Sequence, residues 1–468
     1  MGQEILHKHF TPADFELFSK NLNNETNLLN KLFKAGKFSS RSPVGGFEVE
    51  GCLIDANYHP APINKEFLAR FNNPLVTSEL AKFNIELNNE PHALNGKAFS
   101  RFENDLQQNF KAADKAANEL DARVLLTGIL PTLVADDLSL KNMTNMKRYH
   151  ALNDVVLNAR HGKPLKMDIS GADHLLLTHD SMMMESTTTS FQVHLQTPWQ
   201  DAHHYYNASI IASAPTMAIT ANSPFLFGKQ LWHETRIPVF ERAIVTSDKQ
   251  QRVSFGSGFA KESILECFNE NLNDFPILLP MTFDHIPEKF KHLCLHNGVV
   301  WRWNRPLIGF DEDGTPHVRI EHRILPAGPT IADMIANAVF FYGITQSLMK
   351  QLRSTNLMSF DQAKDNFYRT AKFGLNTEIQ WGNKTVKPKA LILETLLPLA
   401  REGLLDLKID SGDIDHYLNI IANRTENGQT GAEWQIQHLK LNHCTMKQLT
   451  KDYLHQQHQG LPIHTWSH

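Results

Sequence analysis

Acidic side chains recur in this sequence where an extended strand would aim them all one way. In Gly46-Phe47-Glu48-Val49-Glu50-Gly51 acid alternates with an apolar residue. Successive side chains of a strand leave opposite faces, so Glu48 and Glu50 point together while Phe47 and Val49 seek a core. Phe83-Asn84-Ile85-Glu86-Leu87-Asn88 presents Asn84, Glu86 and Asn88 in the same way, and Phe191-Gln192-Val193-His194-Leu195 presents Gln192 and His194. Val318-Arg319-Ile320-Glu321-His322-Arg323-Ile324 adds Arg319, Glu321 and Arg323. One such strand alone reads first as a half-wet surface strand. Together they carry carboxylates, a carboxamide, an imidazole and guanidiniums where a solvated face would mix Lys, Thr, Ser and Gln. They describe a sheet with one face on helices and the other lining a deep polar cleft.

Carboxylates drawn from separate strands repel one another unless cations neutralise them. Hard divalent ions take oxygen ligands, and Mg²⁺ bridges a few carboxylates to substrate phosphates; Mn²⁺ suits the same donors. Glu48, Glu50, Glu86 and Glu321, with Glu79 upstream of the second strand, can hold roughly two or three such ions. Gln192 offers a carbonyl oxygen and His194 a nitrogen or a hydrogen bond, while Arg319 and Arg323 can fork onto phosphate or carboxylate oxygens. Zinc fits less well, because there is no His-Glu-x-x-His helix and Cys52, Cys267, Cys294 and Cys444 are scattered. There is also no phosphate-cradling Walker loop and no glycine-rich dinucleotide turn, so a nucleotide here would rest on metal ions and arginines.

The elements that must position these groups can be read around them. Thr11-Pro12-Ala13-Asp14 is a helix start, with a capping hydroxyl, proline in the first turn and an acid at the third helical position, and it predicts a helix over 12–33. Further helices are expected over 99–120, 201–214, 330–352 and 390–405, and the His- and Gln-rich tail from 452 onward is expected to be loose. Glu185 serves either as a cap in its local turn or as part of the cleft. Met182, Met183 and Met184 read as packing, His203 and His204 as ordinary polar residues, and Cys52 as buried. Trp301-Arg302-Trp303-Asn304-Arg305 reads as a hairpin packed near the nucleotide.

The 468 residues allow a large core, and 41% apolar with 21% charged residues is ordinary for a globular chain. A net charge of -4 disfavours a dedicated nucleic-acid binder. The amino-terminal stretch lacks the apolar core of a secretory signal, Gly2 fails the myristoylation pattern at Leu6, and no apolar run is long enough to span a bilayer. With unpaired cysteine spacing, these features suggest a cytoplasmic protein without membrane or nucleic-acid partners, working as a monomer or homodimer.

An ordered series of motifs resembles the glutamate-cysteine ligase family, in particular its plant and bacterial type with a glutamine synthetase-like catalytic domain. The series opens with Gly46-Phe47-Glu48-Val49-Glu50, Thr77-Ser78-Glu79-Leu80 leading to Ile85-Glu86-Leu87, and Thr127-Gly128-Ile129-Leu130-Pro131-Thr132. It continues with Met184-Glu185-Ser186, Ser190-Phe191-Gln192-Val193-His194-Leu195 and Ala221-Asn222-Ser223-Pro224-Phe225. Thr235-Arg236-Ile237-Pro238-Val239-Phe240-Glu241 and Glu321-His322-Arg323-Ile324-Leu325-Pro326 complete it, so that the similarity covers about 45–435.

The resemblance implies an α+β fold, a bent antiparallel sheet forming a cradle with helices on its outer face. It implies an N-terminal helical segment over 1–44, a ligase catalytic domain over 45–435, and a C-terminal helix and polar tail over 436–468. It further implies ATP and Mg²⁺ as cofactors, with Glu50, Glu79 and Glu86 holding metal near the amino acid and Glu48, Gln192 and Glu321 holding metal against the ATP phosphates. Arg319 would meet those phosphates. Arg323 would stabilise the transferring phosphoryl group, Arg236 and His194 would face glutamate, and Glu321 or Glu185 would accept a proton. Gln192 departs from relatives with histidine there, and a carboxamide is the weaker magnesium ligand. The implied reaction activates the side-chain carboxylate of glutamate as an acyl phosphate and condenses it with an amine such as that of cysteine. Another acceptor amine, a metal-dependent hydrolase and an inactive ligand-binding protein remain as alternatives, separated by whether ADP forms only in step with product.

Overall fold

Strand pairing in the computed structural model, which describes residues 10–246 and 251–468, follows the alternation in the sequence. Gly2 and Leu6 lie outside the described residues. The main sheet comprises β1 (Val44–Asp55), β2 (Val76–Ser78), β3 (Asn84–Asn88), β4 (His92–Ala93), β5 (Ala122–Leu125), β6 (Phe191–Thr197), β7 (Asn304–Phe310) and β8 (Pro316–His322). Its order is β7-β8-β6-β1-β3-β2, with β4 and β5 also paired to β1, and every pairing is antiparallel.

The long strand β1 changes neighbours along its length. On one edge, 44–49 pair with β6 and 52–55 with β5; on the other, 44–45 pair with β4 and 48–52 with β3. These exchanges add to ordinary strand twist, and the sheet curls into a half-barrel with helices outside.

The outer face is the apolar half of the pattern. Phe47, Val49, Ile85, Leu87, Val193, Leu195, Val318 and Ile320 are all buried, each worth about 1.5–3 kcal/mol in area removed from water. They pack under α2 (Ala98–Asn118) and α4 (Ile331–Leu352), while α1 (Pro12–Lys34) packs on the helices Leu265–Asp274 and Lys291–Gly298, and α3 (Ala202–Thr220) packs along α4. The Phe47 ring lies 4.6 Å from Phe102 of α2 and 6.2 Å from Tyr342 of α4. Tyr342 Oη donates to the His194 carbonyl at 2.8 Å, which ties the helix to a site-bearing strand. A Cβ on Gly45 would sit 2.8 Å from that phenol oxygen, so glycine is what permits this approach.

The expected helices over 12–33, 99–120, 201–214 and 330–352 are present as α1 to α4. Thr11 Oγ1 accepts from Asp14 N at 3.4 Å, and Asp14 Oδ2 accepts from Thr11 N at 2.7 Å, the reciprocal cap read from the sequence. Helix α3 continues through Pro215 to Thr220, since burial along its whole length outweighs the lost hydrogen bond. The single helix expected over 390–405 is instead Pro388–Leu391, a π turn Ile392–Leu396 and a helix Leu397–Asp406, with Pro398 at the junction.

The tail is a correction. A loose segment was expected from 452, but α5 (Met446–Gln459) runs through it and docks. Tyr453 Oη and Gln457 Nε2 donate to the Leu126 carbonyl at 3.1 and 2.7 Å, and Trp466 packs 5.1 Å from Trp434. Two aromatic side chains and one well-placed amide suffice to anchor a segment whose average composition is polar.

Candidate active site

Register decides which polar groups meet. Glu50 lies opposite Glu86, Glu48 between Gln192 and Asn88, and Glu321 between His194 and Arg305. Glu79 follows β2, and Glu185 comes from the turn Met182–Thr187, whose three methionines are buried as packing. A cavity of about 420 Å³ is lined by Glu50, Glu79, Glu86 and Glu185 with Arg148 and Tyr149. Elsewhere it meets Leu279, Phe283, Leu295 and Ile308, and Gln192, Arg305, Arg319 and Arg323 also line it.

Two acid clusters of different character result. In the first, burial and then the charge of Glu48 push Glu86 up to about 7, and burial and then Glu50 push Glu185 up to about 8. Burial also raises Glu50, and burial with Glu86, Glu50 and Glu185 raises Glu79 well above the usual carboxylate range. Glu86 and Glu185 thus hold protons near neutrality unless a cation replaces them. In the second, burial opposes ionisation of Glu48, yet His194 holds it down at about 2. Glu321 is likewise kept below the ordinary range, against burial, by Arg305 and then Arg323.

The second cluster is the one shaped for a cation. Ligand atoms of Glu48, His194 and Glu321 all lie within 4.8 Å of one another. His194 Nε2 is 3.1 Å from Glu48 Oε1, yet this buried nitrogen makes no hydrogen bond among the described residues. An oxygen-rich set with one orphaned nitrogen fits a divalent metal ion.

Guanidiniums surround it. Arg305 Nε and Nη2 donate to the two Glu321 oxygens at 2.8 and 3.0 Å. Arg323 Nη1 donates to Gln192 Oε1 at 2.6 Å and to Glu321 Oε2 at 3.0 Å, while its buried Nε has no hydrogen-bond partner among the described residues. Gln192 Nε2 in turn donates to Glu50 Oε1 at 3.0 Å, linking the two clusters. Arg319 Nε donates to His194 Nδ1 at 3.3 Å. Each nitrogen of Arg236 donates to protein: Nε to Glu234 Oε1 at 3.0 Å, Nη1 to the Arg323 carbonyl at 3.2 Å and Nη2 to the Ile324 carbonyl.

Glu48, Glu50, Glu79, Glu86, Gln192, His194, Arg319, Glu321 and Arg323 are therefore brought together, with Arg236 behind Arg323. Arg305, read from the sequence only as part of a packed hairpin, was missed as a site group. Its place follows from its pairing with Glu321 on the neighbouring strand, which no local pattern marks. Arg148 and Tyr149, at the start of the helix Lys147–Ala159, had no pattern to mark them. Trp303 is buried as a packing residue, and Cys52 is buried with its thiol pushed up to about 12. His203 and His204 lie with their rings 3.9 Å apart and tilted by 37°, and belong to no metal-ligating group among the described residues.

A stability consequence follows from the raised carboxyls. Their stabilising protonation is complete below the unfolded value of 4.5 and is lost as pH rises through the folded values of about 7 for Glu86 and about 8 for Glu185. Buried His317 and His322, lowered to about 4 and about 3, act oppositely below their unfolded value of 6.5. Between pH 6.5 and 8.5 the carboxyls dominate, so metal-free protein is expected to melt at progressively lower temperature, and Mg²⁺ to raise Tm more at the upper end. Scanning calorimetry in EDTA and in Mg²⁺ checks this; a flat or rising Tm in EDTA contradicts it.

A curled antiparallel sheet with acids, an imidazole and arginines on its inner face and helices outside is the catalytic domain of a glutamine synthetase-like carboxylate-amine ligase. The description "Glutamate-cysteine ligase family 2 (GCS2)" belongs to the family model that matches residues 44–459, and the chain belongs to that family. It is an enzyme of the glutamate-cysteine ligase type, which joins glutamate to cysteine at the expense of ATP to form γ-glutamylcysteine, a step of glutathione biosynthesis. Among solved structures, the fold is similar to a glutamate-cysteine ligase from Francisella tularensis in complex with AMP, at 12% identity and a TM-score of 0.58, covering 92% of this chain and 90% of that one. It is also similar to a bifunctional glutathione synthetase from Pasteurella multocida, at 10% identity and a TM-score of 0.51, covering 91% of this chain and 54% of that one. Comparison with curated protein sequences gave no match. No helix among the described residues is long and apolar enough to cross a membrane.

Proposed function

We propose that the two acid clusters divide the reaction between them. Glu48 and Glu321, with His194 or Gln192, hold a divalent cation against the ATP phosphates, and Glu50, Glu79 and Glu86 hold one beside glutamate. The observation that carries this reading is the convergence of ligand atoms of Glu48, His194 and Glu321 within 4.8 Å, around a buried imidazole nitrogen that lacks a hydrogen bond among the described residues. When bound, Mg²⁺ would supply charge neutralisation for phosphate and carboxylate oxygens. His194 would offer Nε2 to the cation and keep its ring proton on Nδ1, and Arg319, which now donates to Nδ1, would then be available to phosphate. The apolar end of the cavity, on the Ile308 side, suits the adenine base.

In the first step an oxygen of the glutamate side-chain carboxylate bonds to the γ-phosphorus of ATP while the bond to the β–γ bridging oxygen breaks, and ADP leaves. Arg323, whose buried Nε has no hydrogen-bond partner among the described residues, faces the charge spread over the transferring group. In the second step the cysteine amine attacks the acyl carbon, phosphate departs and the amine loses a proton. Glu321 is committed to Arg305 and Arg323, so Glu185, in the ionised form that a cation beside Glu50 would favour, is the acid left to receive that proton. Arg236, spent on protein partners, acts by fixing Arg323 rather than by touching glutamate. We read the working form as a cytoplasmic monomer or homodimer acting on small molecules.

The test is ADP release with Mg-ATP and glutamate across cysteine, other amino acids and simple amines, with mass detection of products. ADP with cysteine and matching γ-glutamylcysteine is the expected result. ADP with a different amine alone would move the acceptor assignment, and amide or phosphate-ester turnover without ATP would support the hydrolase instead.

A further inference from the structure

One carboxylate outside both clusters remains unexplained by the reaction. Glu241 lies in the short helix Arg236–Ala243, partly buried, and its Oε1 accepts from Trp303 Nε1 at 2.8 Å and from Tyr368 Oη at 2.6 Å. Burial raises its carboxyl to about 7, against those two donors. Nothing in substrate binding or proton transfer calls for an acid here.

Trp303 is where this carboxylate exerts its effect. The indole is buried, and an indole N–H inside a protein needs a partner, which Glu241 provides. The Arg236 guanidinium lies 5.6 Å from the Trp303 ring centre, and Phe240 meets the same ring edge-on at 5.7 Å. Phe240 in turn carries Arg323, whose guanidinium carbon is 5.9 Å from its ring centre. The backbone repeats the link, because Arg323 N donates to the Trp303 carbonyl at 2.9 Å and Arg236 Nη1 donates to the Arg323 carbonyl at 3.2 Å. Two aromatic faces thus support the two arginines, and a single oxygen of Glu241 fixes the orientation of the larger ring.

We infer that Glu241 is a positioning residue: through Trp303 it locks the ring on which Arg236 and Arg323 rest, and so keeps the activated glutamate oriented toward the amine. This rests on the reading of Arg323 given above. Loss of the anchor lets the arginines shift, and small displacements of a charged group at a reacting centre are costly. The acyl phosphate then meets water in place of the amine: a water oxygen bonds to the acyl carbon, phosphate leaves, and glutamate is regenerated with ADP already formed.

The ratio of ADP to γ-glutamylcysteine reads this directly, because a smaller folded fraction lowers both equally and leaves the ratio unchanged. Glu241→Ala is expected to lower kcat about tenfold or more and to raise the ratio at least about twofold above the parent. Glu241→Gln keeps an oxygen able to accept from both donors, and is expected to restore parental coupling. Trp303→Phe keeps the ring but removes the N–H, and is expected to uncouple as Glu241→Ala does. Arg323→Lys serves as the control. If it raises the ratio while folded Glu241→Ala does not, or if Glu241→Gln uncouples as much as Glu241→Ala, the positioning role is overturned. If Arg323→Lys leaves the ratio at the parental value, the underlying assignment of Arg323 fails, and the inference with it.

Discussion

Replacing Arg323 with alanine is expected to lower ADP formation about 10²–10³-fold while the protein stays folded. Three features argue for an effect of this size. Arg323 is buried, so its charge acts where water does little screening. Its Nη1 bridges Gln192 and Glu321, which places it over the second acid cluster. Its Nε, buried and without a hydrogen bond among the described residues, is a donor kept in reserve. Glu321 retains Arg305 on both oxygens after the substitution, so the fold does not inherit an unpaired buried carboxylate. Steady-state ADP release alongside circular dichroism tests this; a folded Arg323→Ala protein with parental turnover removes Arg323 from the chemistry.

Glu79→Gln is expected to separate stability from activity in opposite directions. Burial and the charges of Glu86, Glu50 and Glu185 raise the Glu79 carboxyl well above the usual carboxylate range in the absence of metal, and glutamine mimics its neutral form. At pH 8 in EDTA the variant should therefore melt no lower than the parent, and its melting temperature should depend less steeply on pH. A cation that needs the carboxylate loses a charged ligand, so Mg²⁺ should stabilise the variant less and activity should fall about 10²-fold. Calorimetry with and without Mg²⁺, paired with the ADP assay, gives both readings. A variant that loses activity but keeps the full Mg²⁺ response would take Glu79 out of the metal-binding set.

The alternation of Glu48, Glu50, Glu86, Gln192, His194 and Glu321 with buried aliphatics was enough to read the inner face before any coordinates, because a strand has only two faces and one of them must be apolar. The helix cap at Thr11 was legible for a similar reason, since its donors and acceptors lie within four residues. What escaped was non-local. Arg305 joins the site only because β7 pairs with β8, a register that no local pattern declares. Arg148 and Tyr149 reach the cleft from a helix whose amphipathicity says nothing of what its first turn faces. The docked tail was misread because composition averages over a segment, whereas docking depended on Tyr453, Gln457 and Trp466 individually.

The two acid clusters hang from one strand. Glu50 contributes to the first and Glu48 to the second, and adjacent same-face positions on a strand are roughly 6.6 Å apart whatever the surrounding loops do. The strand is pinned by different partners above and below this point, so it behaves as a ruler clamped at both ends. The gap between the phosphate-facing and amino-acid-facing acids is thus a fixed backbone length, insensitive to loop movement. Loops around the cleft are free to change which amine is admitted without altering the distance over which the carboxylate is activated.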